Sequence, residues 1–252
     1  MPVYTTLLTL AVFIPLGWAF LRRRDQRLFS AALFIALTAA FVGRAVYVII
    51  HWEYYSERLA EVAALNGLSE HGAIAGGSAA YLMLRRAVRP PLADLEPLCV
   101  AAFVLIAVAA SLGCVEVGCA YGREVFWQTD GEASLAWQLR VDWPDAYKAR
   151  NPRWPTQILL LLWMTACGLC AWLARLRFIS IIMLCFGFGD FVVQFLRGDA
   201  VLLLGPFRVY QWFDLAFIAL GLFWFMSRLK RITLAPADHA THAPVAVPDR
   251  DA

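Results

Sequence analysis

The stretch LFSAALFIALTAAFVGRAVYVII, residues 28–50, contains a single charged side chain, Arg44. An α-helix of about 20 apolar residues crosses a hydrocarbon layer of about 30 Å, so this stretch has the length and composition of a membrane span. A charge inside hydrocarbon is costly, which makes Arg44 as informative as the apolar residues around it. The stretch therefore predicts an integral membrane fold and marks one candidate functional residue.

The rest of the chain follows the same pattern. Of its 252 residues, 61% are hydrophobic and 16% are charged, with a formal net charge of +3. Soluble domains average about 45–50% apolar and about 25% charged residues, so this composition excludes a soluble protein built around one core. The high hydrophobicity and small net charge also argue against a disordered chain and against a general nucleic-acid binder.

Windows of about 20 apolar residues predict about seven transmembrane helices, so the expected fold class is an all-α, polytopic integral membrane protein. The third window is the weakest, because GAIAGGSAAYLMLRR (residues 72–86) is short and rich in glycine. This composition is typical of close helix packing or of a re-entrant segment. The predicted spans lie near residues 3–21, 28–50, 72–88, 92–113, 155–174, 178–196 and 207–226.

Lysine and arginine stay preferentially on the cytoplasmic side of a membrane, which predicts the orientation. RRRDQR (residues 22–27) follows the first apolar run directly, and no basic residue precedes that run, as in a signal anchor whose N-terminus lies outside. With this orientation the inner loops hold 12 Lys and Arg residues in short segments, whereas the outer segments hold 8 over a much longer stretch. The sequence therefore predicts an N-out, C-in topology.

Two outer loops, residues 51–71 and 114–154, form an outer-surface region that is long enough to carry function. The second loop is rich in Trp, Tyr and Phe, which favours an ordered segment on the membrane surface. We assign residues 1–231 to one transmembrane domain. Residues 232–252, which are rich in proline and alanine, are expected to form a disordered cytoplasmic tail.

Arg44 is the clearest candidate site residue, because a central arginine costs about 2.5 kcal/mol or more on insertion scales. A guanidinium that faces the bundle interior can grip an anionic group, such as a lipid phosphate, through two hydrogen bonds. The alternative is a structural ion pair with Asp190 or Glu96.

A second polar group lies in the predicted sixth span, within FGFGDFVVQFLRGD (residues 186–199). Asp190 and Gln194 are four residues apart and so share one helix face, and Arg197 follows one turn later. These side chains are candidates for substrate contact. A structural role is equally open, in which Asp190 only neutralises Arg44 so that the bundle can pack.

His71 lies in GLSEHGAIAGG (residues 67–77), where the first outer loop enters the third predicted span. A histidine at the water-facing mouth of a bundle is suited to be a general base near neutral pH. The alternative is an interfacial histidine that only caps the helix end.

The stretch SLGCVEVGCAYGRE, residues 111–124, contains three glycines that let the backbone approach a ligand or another helix closely. Arg123 places a permanent charge at the level of phosphate head groups, or serves only to set the topology. Tyr121 can add a hydrogen bond at the interface. The candidate binding residues of this stretch are Gly113, Gly118, Tyr121, Gly122 and Arg123.

Cys114 and Cys119 can face a non-cytoplasmic compartment, where they form a disulfide or remain thiols. The sequence leaves this choice open. The four histidines show no metal-ligand spacing, and two of them, His239 and His242, fall in the tail. We therefore expect neither a metal nor a cofactor.

Four motifs resemble the bacterial prolipoprotein diacylglyceryl transferases. FVGRAVYVIIHW (residues 41–52) is similar to the family's second-helix stretch with its Gly-Arg pair, and SEHGAIAGG (69–77) is similar to its Ser-x-His-Gly-Gly motif. GCVEVGCAYGR (113–123) matches the glycine frame of the family signature, and NPRWPTQ (151–157) is similar to the segment that opens the next helix. The motifs follow the family's order along nearly the whole chain.

The resemblance implies the family's reaction, in which a diacylglyceryl group moves from phosphatidylglycerol to the cysteine thiol of a prolipoprotein signal peptide. It would take place at the outer face of the bacterial cytoplasmic membrane. The implied partners are phosphatidylglycerol or another anionic phospholipid, the lipoprotein signal peptide and the membrane, with no nucleic acid. His71 and Arg123 would then act in catalysis, and the remaining candidates would bind the phospholipid: Arg44, Gly113, Gly118, Tyr121, Gly122, Asp190, Gln194 and Arg197.

The sequence departs from the family where the resemblance would place two arginines, because these positions hold Ser111 and Asp190. Arg197 or Arg208 could replace the lost charge. Two further interpretations therefore stay open: a non-catalytic lipid-binding or scaffold membrane protein of the same fold, and a transferase with another lipid donor. A transporter is less favoured, since the two halves show no repeat.

Overall fold

The computed structural model describes residues 2–23, 26–63, 67–88, 94–131, 133–173 and 179–233, and these residues form a helical bundle. Its helices are α1 Pro2–Arg23, α2 Gln26–Ile50, α3 Trp52–Ser56, α4 Glu70–Ala87, α5 Leu95–Val117, α6 Trp127–Asp130, α7 Leu135–Leu139, α8 Thr156–Leu173, α9 Ile179–Gln194 and α10 Val209–Thr233. A 3-10 turn, Leu59–Glu61, and a two-stranded antiparallel hairpin, β1 Leu203–Leu204 and β2 Phe207–Arg208, complete the described elements. Most of the predicted tail lies outside the described residues.

The expectation of an all-α membrane protein is confirmed in its general form. In the described ranges, four helices are long and apolar enough to cross a membrane: α2, α5, α8 and the part of α10 up to Ser227. Residues 9–21 of α1 and the whole of α9 are apolar but shorter. The count of seven spans and the N-out orientation stay predictions.

The outer surface of the bundle is apolar. Phe41, Trp172 and Phe223 are each about three quarters exposed, whereas Met164 and Phe186 are fully buried. A water-soluble protein rarely leaves such large apolar side chains uncovered over a broad surface. Lipid is the solvent that suits this surface.

Four helix pairs make the most extensive contacts among the described residues. α2 packs along α4, α9 along α10, and α1 along α5, and α5 also contacts α8. The side chains between them form one apolar core that includes Ala19, Ile182 and Phe217.

The glycine-rich third window is a continuous helix, α4, packed closely on α2. A Cβ atom at Gly72 would lie 2.7 Å from the Cβ of Val46, and one at Gly76 would lie 2.6 Å from the Cβ of Val42. Small residues allow two helix backbones to come this close. Close packing against α2 therefore explains Gly72 and Gly76.

Gly76→Ala is expected to lower the free energy of unfolding by about 1–3 kcal/mol, because the added methyl group overpacks the α2–α4 interface. Gly17→Ala in α1 is the matched control, since no atom outside its own helix backbone lies within 4 Å of a Cβ there. Thermal unfolding of both variants in detergent measures the effect. Equal stability of the two variants would contradict a tight α2–α4 contact.

The described residues of the second predicted outer loop contain regular structure. The loop contains the short helices α6 and α7, and single backbone pairings join Glu124 and Val141 to Arg153 and join Pro144 to Arg150. These pairings tie the loop to the segment that precedes α8, and so position the NPRWPTQ motif beside the signature stretch.

Candidate functional site

A small cavity of about 30 Å³ lies where α5 and α9 end and where α4 and α8 begin. Its wall mixes apolar and charged side chains, and we call it the polar cavity for the charged ones. It contains the two positions at which the family resemblance would place arginines, Ser111 and Asp190, together with Arg197. The structure therefore places the Arg197 guanidinium beside the two positions at which the family arginines are replaced. The polar and sulfur-bearing side chains on its wall are Glu70, Ser111, Cys114, Thr156, Gln157, Asp190 and Arg197.

A larger cavity of about 230 Å³ adjoins it. Its wall comes from α1, α2, α4, α5 and α9 and is formed mostly by apolar side chains such as Ile35, Ile74 and Phe103. Glu70 and Ala110 line both cavities. The Glu70 carboxylate thus lies where the larger, apolar cavity meets the polar cavity.

His71 is buried, so its expected position at a water-facing mouth is wrong. His71 is 1% exposed. Its Nε2 atom lies 3.0 Å from Asp190 Oδ2 and 3.1 Å from Asp214 Oδ1. The ring stacks on Tyr210 with 4.8 Å between centroids. His71 lines neither of the two cavities.

The local reason is the start of α4. Ser69 is the N-cap, and its Oγ accepts a hydrogen bond from the backbone N–H of Gly72 at 3.2 Å. The capping role considered for His71 is therefore filled by Ser69. The following turn directs His71 toward α9 and α10 and leaves Glu70 at the cavities.

Asp190 is paired with His71 rather than with Arg44. Gln194 donates from Nε2 to Asp190 Oδ2 at 2.9 Å, which confirms that these two side chains share a helix face. Asp214 of α10 also contacts His71, through its Oδ1 atom. The sequence did not single out Asp214 as a site residue. Its position inside the apolar stretch VYQWFDLAFIAL (209–220) was the available signal, because an acid in a span needs a partner or a function.

Arg44 turns to the first outer loop. Its guanidinium donates to the backbone carbonyl oxygens of Glu61 at 2.7 Å, Val62 at 3.0 Å and Gly67 at 2.9 Å. Its Cζ also lies 5.0 Å from the ring centroid of Tyr55. Arg44 lines neither cavity, and the structure does not bring it together with Arg123 and His71.

Arg44→Lys is expected to loosen the segment between α2 and α4. The lysine ammonium group cannot reproduce the planar guanidinium, which donates hydrogen bonds to three backbone carbonyl oxygens. Trypsin should then cleave after the exposed Arg58 several-fold faster than in the unmodified protein. Limited proteolysis in detergent, followed by mass spectrometry, measures this rate. Cleavage at an unchanged rate would show that Arg44 does not order the loop.

The signature stretch packs against the backbone that follows α9. Arg123 N–H donates to the Leu196 carbonyl at 2.8 Å, and Gly198 N–H donates to the Tyr121 carbonyl at 2.9 Å. A Cβ atom at Gly122 would collide with the backbone of Trp154. The glycine thus permits a close contact with the segment before α8. The two backbone hydrogen bonds hold Arg197 next to the signature.

The other predicted residues of this stretch have different surroundings. Gly118 ends α5 with a φ of +73°, and Gly113 is buried within α5. The Tyr121 ring lies 4.6 Å from the guanidinium of Arg153. Arg123 is exposed and lines neither cavity, so its catalytic role stays a prediction.

Cys114 and Cys119 form a disulfide, which decides the choice that the sequence left open. Their Cα atoms lie 4.7 Å apart, and the bond closes the turn at the end of α5. Gln157 at the start of α8 donates from Nε2 to the Cys119 carbonyl at 2.9 Å. The disulfide thus forms part of the wall of the polar cavity.

Arg197 is held by the loop after α9. Its Nε donates to Asp199 Oδ1 at 2.9 Å, and Arg208 donates to the Arg197 carbonyl at 2.7 Å. Burial alone would lower the pKa of Arg197, but its hydrogen bonds to Asp199 and the charges of Asp199, Asp190 and Glu70 raise it. Arg197 therefore stays positively charged, and it lies beside the carboxylates of Asp199, Asp190 and Glu70.

Arg153 organises the outer loop and was also missed by the sequence analysis, although its motif was recognised. Its Nη2 atom donates to Glu124 Oε1 and to Asp145 Oδ2, each at 2.9 Å. Asp145 also accepts the backbone N–H groups of Tyr147 and Ala149 through Oδ1. An arginine in a motif next to a helix start was the signal for such a role.

Some of these side chains are potential metal ligands. One ligand atom each of Glu70, His71 and Asp190 lies within 4.8 Å of the others.

Comparison with known proteins agrees with the motifs. Residues 2–227 match the family model for prolipoprotein diacylglyceryl transferase. A phosphatidylglycerol–prolipoprotein diacylglyceryl transferase of Synechococcus elongatus is 30% identical over 233 residues, covering 83% of this chain and 77% of that relative. A second protein of that name from Clostridium perfringens, numbered 2, is 26% identical over 227 residues and covers 84% and 85% of the two chains. The chain belongs to the prolipoprotein diacylglyceryl transferase family.

Proposed function

We propose that this protein transfers a diacylglyceryl group from phosphatidylglycerol to the cysteine thiol of a prolipoprotein signal peptide. The setting would be the outer face of the bacterial cytoplasmic membrane, as a multi-pass protein. The observation that carries the proposal is the junction of an apolar cavity with a polar one at Glu70, with Arg197 on the polar wall. This arrangement suits a lipid whose tail is apolar and whose head group is anionic.

In this proposal the apolar cavity takes part of an acyl chain, and the phosphate approaches Arg197. The guanidinium is charged at any physiological pH and can bind two phosphate oxygens. The exposed Arg123 draws anionic head groups to the outer surface. Arg44 acts as a positioning residue, because it orders the loop that leads into α4.

The chemistry is a displacement at the carbon of the diacylglyceryl unit that is bonded to the phosphate oxygen. The thiol loses its proton to a base, its sulfur forms a bond to that carbon, and the bond from carbon to the phosphate oxygen breaks, so that glycerol phosphate leaves. Glu70 is the carboxylate at the cavity junction and serves as the base. His71 lies behind Glu70, with 3.9 Å between its Nδ1 atom and Glu70 Oε1, which is too far for a hydrogen bond.

One observation favours the alternative of a non-catalytic lipid-binding protein. The polar cavity of about 30 Å³ holds about one water molecule, so a head group enters only if the helix ends move apart. Ser111 brings no charge, and its Oγ already donates to the Ala107 carbonyl at 2.9 Å. The proposal and the alternative differ in whether a thioether product forms.

Complementation of a bacterial strain depleted of its own transferase tests the proposal. The unmodified protein is expected to restore growth, and so is Arg150→Gln, which changes an exposed outer arginine. Arg197→Gln is expected to fail or to lower transfer by roughly 10- to 100-fold, since a charge-assisted contact is worth about 1.5–3 kcal/mol. Absence of growth with the unmodified protein, at a normal level in the membrane, would exclude the proposed substrates and favour the alternative.

A further inference from the structure

The turn that follows α5 is closed by hydrogen bonds and by a covalent bond. The backbone N–H groups of Gly118 and Cys119 donate to the Cys114 carbonyl at 2.9 and 3.1 Å, and the Cys114–Cys119 disulfide joins the same two ends. Cys114 lines the polar cavity, so the bond lies at the candidate site. The other cysteines remain thiols: Cys99, Cys167, Cys170 and Cys185.

Two carbonyl groups of this turn bind the first residues of α8. Gln157 Nε2 donates to the Cys119 carbonyl at 2.9 Å, and Thr156 Oγ1 donates to the Ala120 carbonyl at 2.6 Å. Ala120, Thr156 and Gln157 line the polar cavity together with Cys114. One wall of the cavity therefore depends on the shape of the turn.

Ala120 holds a backbone conformation that its side chain disfavours. Its φ is +52°, and the left-handed region costs free energy for a residue that carries a Cβ atom, whereas Gly118 with a φ of +73° has no such penalty. The next carbonyl, that of Tyr121, accepts the N–H of Gly198, which follows Arg197. If Ala120 relaxes, the backbone that holds Arg197 at the cavity loses its support.

The disulfide acts mainly on this turn. Its cysteines are five residues apart, and a bond across so short a loop restrains the unfolded chain less than a bond between distant residues. In the folded protein it fixes Cys119, the residue before Ala120, to the end of α5. Both cysteines are half-buried, so a small thiol reagent can reach them.

We propose that the Cys114–Cys119 disulfide is a redox switch of the polar cavity. The formed bond keeps Ala120 in its conformation and Arg197 in place for an anionic head group. Reduction releases the turn and weakens the binding of that head group. The inference rests on the proposed function, because it takes the polar cavity to be the head-group site.

The redox step is an exchange between disulfides and thiols. A dithiol breaks the sulfur–sulfur bond and leaves two protein thiols, while the dithiol itself is oxidised to a cyclic disulfide. In the reverse step the two thiols lose their protons and pass two electrons to a second disulfide. In the predicted topology the turn lies on the outer side of the membrane, where disulfides persist. The switch therefore restricts head-group binding to protein whose outer segments have reached that side.

Hydrogen–deuterium exchange of the purified full-length protein tests the release of the turn without any lipid. After treatment with dithiothreitol, the hydrogen-bonded amides of Arg123 and Gly198 should exchange at least about tenfold faster, because local opening exposes them. The amide of Ala73, which donates to the Ser69 carbonyl at the start of α4, should exchange as before. Unchanged exchange at Arg123 and Gly198, in protein that has gained two thiols by mass, would overturn the inference.

Lipid selectivity tests the consequence for the site, again without transfer. The probes are dioleoyl phosphatidylglycerol and dioleoyl glycerol, which differ only in the head group, at equal concentration in detergent micelles. Mass spectrometry of the intact protein should show a preference for phosphatidylglycerol of about tenfold or more with the disulfide formed, and of less than about threefold after reduction. Oxidised glutathione should restore the preference, which shows that the reduced protein stays folded.

Two variants assign the effect to this bond. The double variant Cys114→Ser with Cys119→Ser should match the reduced protein and show no response to dithiothreitol. Cys170→Ser, which changes an exposed free cysteine, should respond as the unmodified protein does. A preference of equal size in both redox states would overturn the inference and leave the proposed function standing. A preference absent from both states would overturn the two together.

Discussion

Glu70→Gln is expected to slow thioether formation by about 10²- to 10⁴-fold, the range that removal of a general base typically costs. Glutamine keeps the shape and can still donate and accept hydrogen bonds, but it cannot take the thiol proton. Glu70 lines both cavities, so the change acts at the junction where the substrate thiol and the lipid meet in the proposed reaction. Turnover should fall while the affinity for phosphatidylglycerol stays within a few-fold.

The measurement is the rate at which a signal-peptide thiol gains a diacylglyceryl group in vesicles that contain phosphatidylglycerol. Glu53→Gln is the matched control, since Glu53 is an exposed glutamate of α3 that lines neither cavity. Its rate should equal that of the unmodified protein. A Glu70→Gln variant that keeps at least half of the normal rate would rule out Glu70 as the base.

Arg153→Met is expected to lower the free energy of unfolding by about 3–5 kcal/mol. The guanidinium is buried and binds the carboxylates of Glu124 and Asp145, and Asp145 is itself buried. Removing one partner of a buried ion pair leaves the other charge without compensation, whereas methionine keeps much of the apolar packing. Chemical unfolding in detergent measures the loss.

Two variants separate this cause from general damage to the outer loop. Arg150→Met changes an exposed arginine of the same segment and should lower the stability by less than about 0.5 kcal/mol. Asp145→Asn added to Arg153→Met should recover part of the loss, because the buried negative charge is removed with its partner. Equal losses for Arg150→Met and Arg153→Met would contradict the role given to the buried pair.

The sequence predicted the class of fold well because a membrane span is a local property. The apolar windows at residues 28–50 and 92–113 correspond to α2 and α5, which differ from them by a few residues at the ends. The glycines of residues 72–86 indicated close packing correctly, since their effect depends only on the absence of a side chain. Glycine also adds little apolar surface, and for that reason the stretch that forms α4 was the weakest of the predicted spans.

The site was harder to predict, because the direction of a side chain depends on tertiary contacts. Arg44 was expected to face an anionic ligand, but a loop some 20 residues further along the chain supplies the carbonyl groups that bind it. His71 was expected to face water, but α9 and α10 supply the aspartates around it. Charge inside a span marked Arg44 as a residue that needs partners and left those partners undetermined.

The position of Glu70 also depends on tertiary structure and was not predicted from the sequence. Glu70 stands beside His71 in the SEHG motif and received no role from the sequence, whereas the structure places it on the walls of both cavities. In a helix, neighbouring residues point about 100° apart, so the start of α4 decides which of the two reaches the cavity. That start depends on the Ser69 cap.

The proposed reaction forms a thioether between a peptide thiol and a diacylglyceryl group. The direct measurement is mass spectrometry of a lipoprotein signal peptide incubated with the purified protein in phosphatidylglycerol vesicles, with glycerol phosphate measured in the same reaction. We expect a peptide heavier by one diacylglyceryl group and an equal amount of glycerol phosphate. Both products should be absent when the peptide cysteine is replaced by serine. If the peptide stays unmodified although the protein is folded and binds phosphatidylglycerol, the chain is a lipid-binding member of the family and not a transferase.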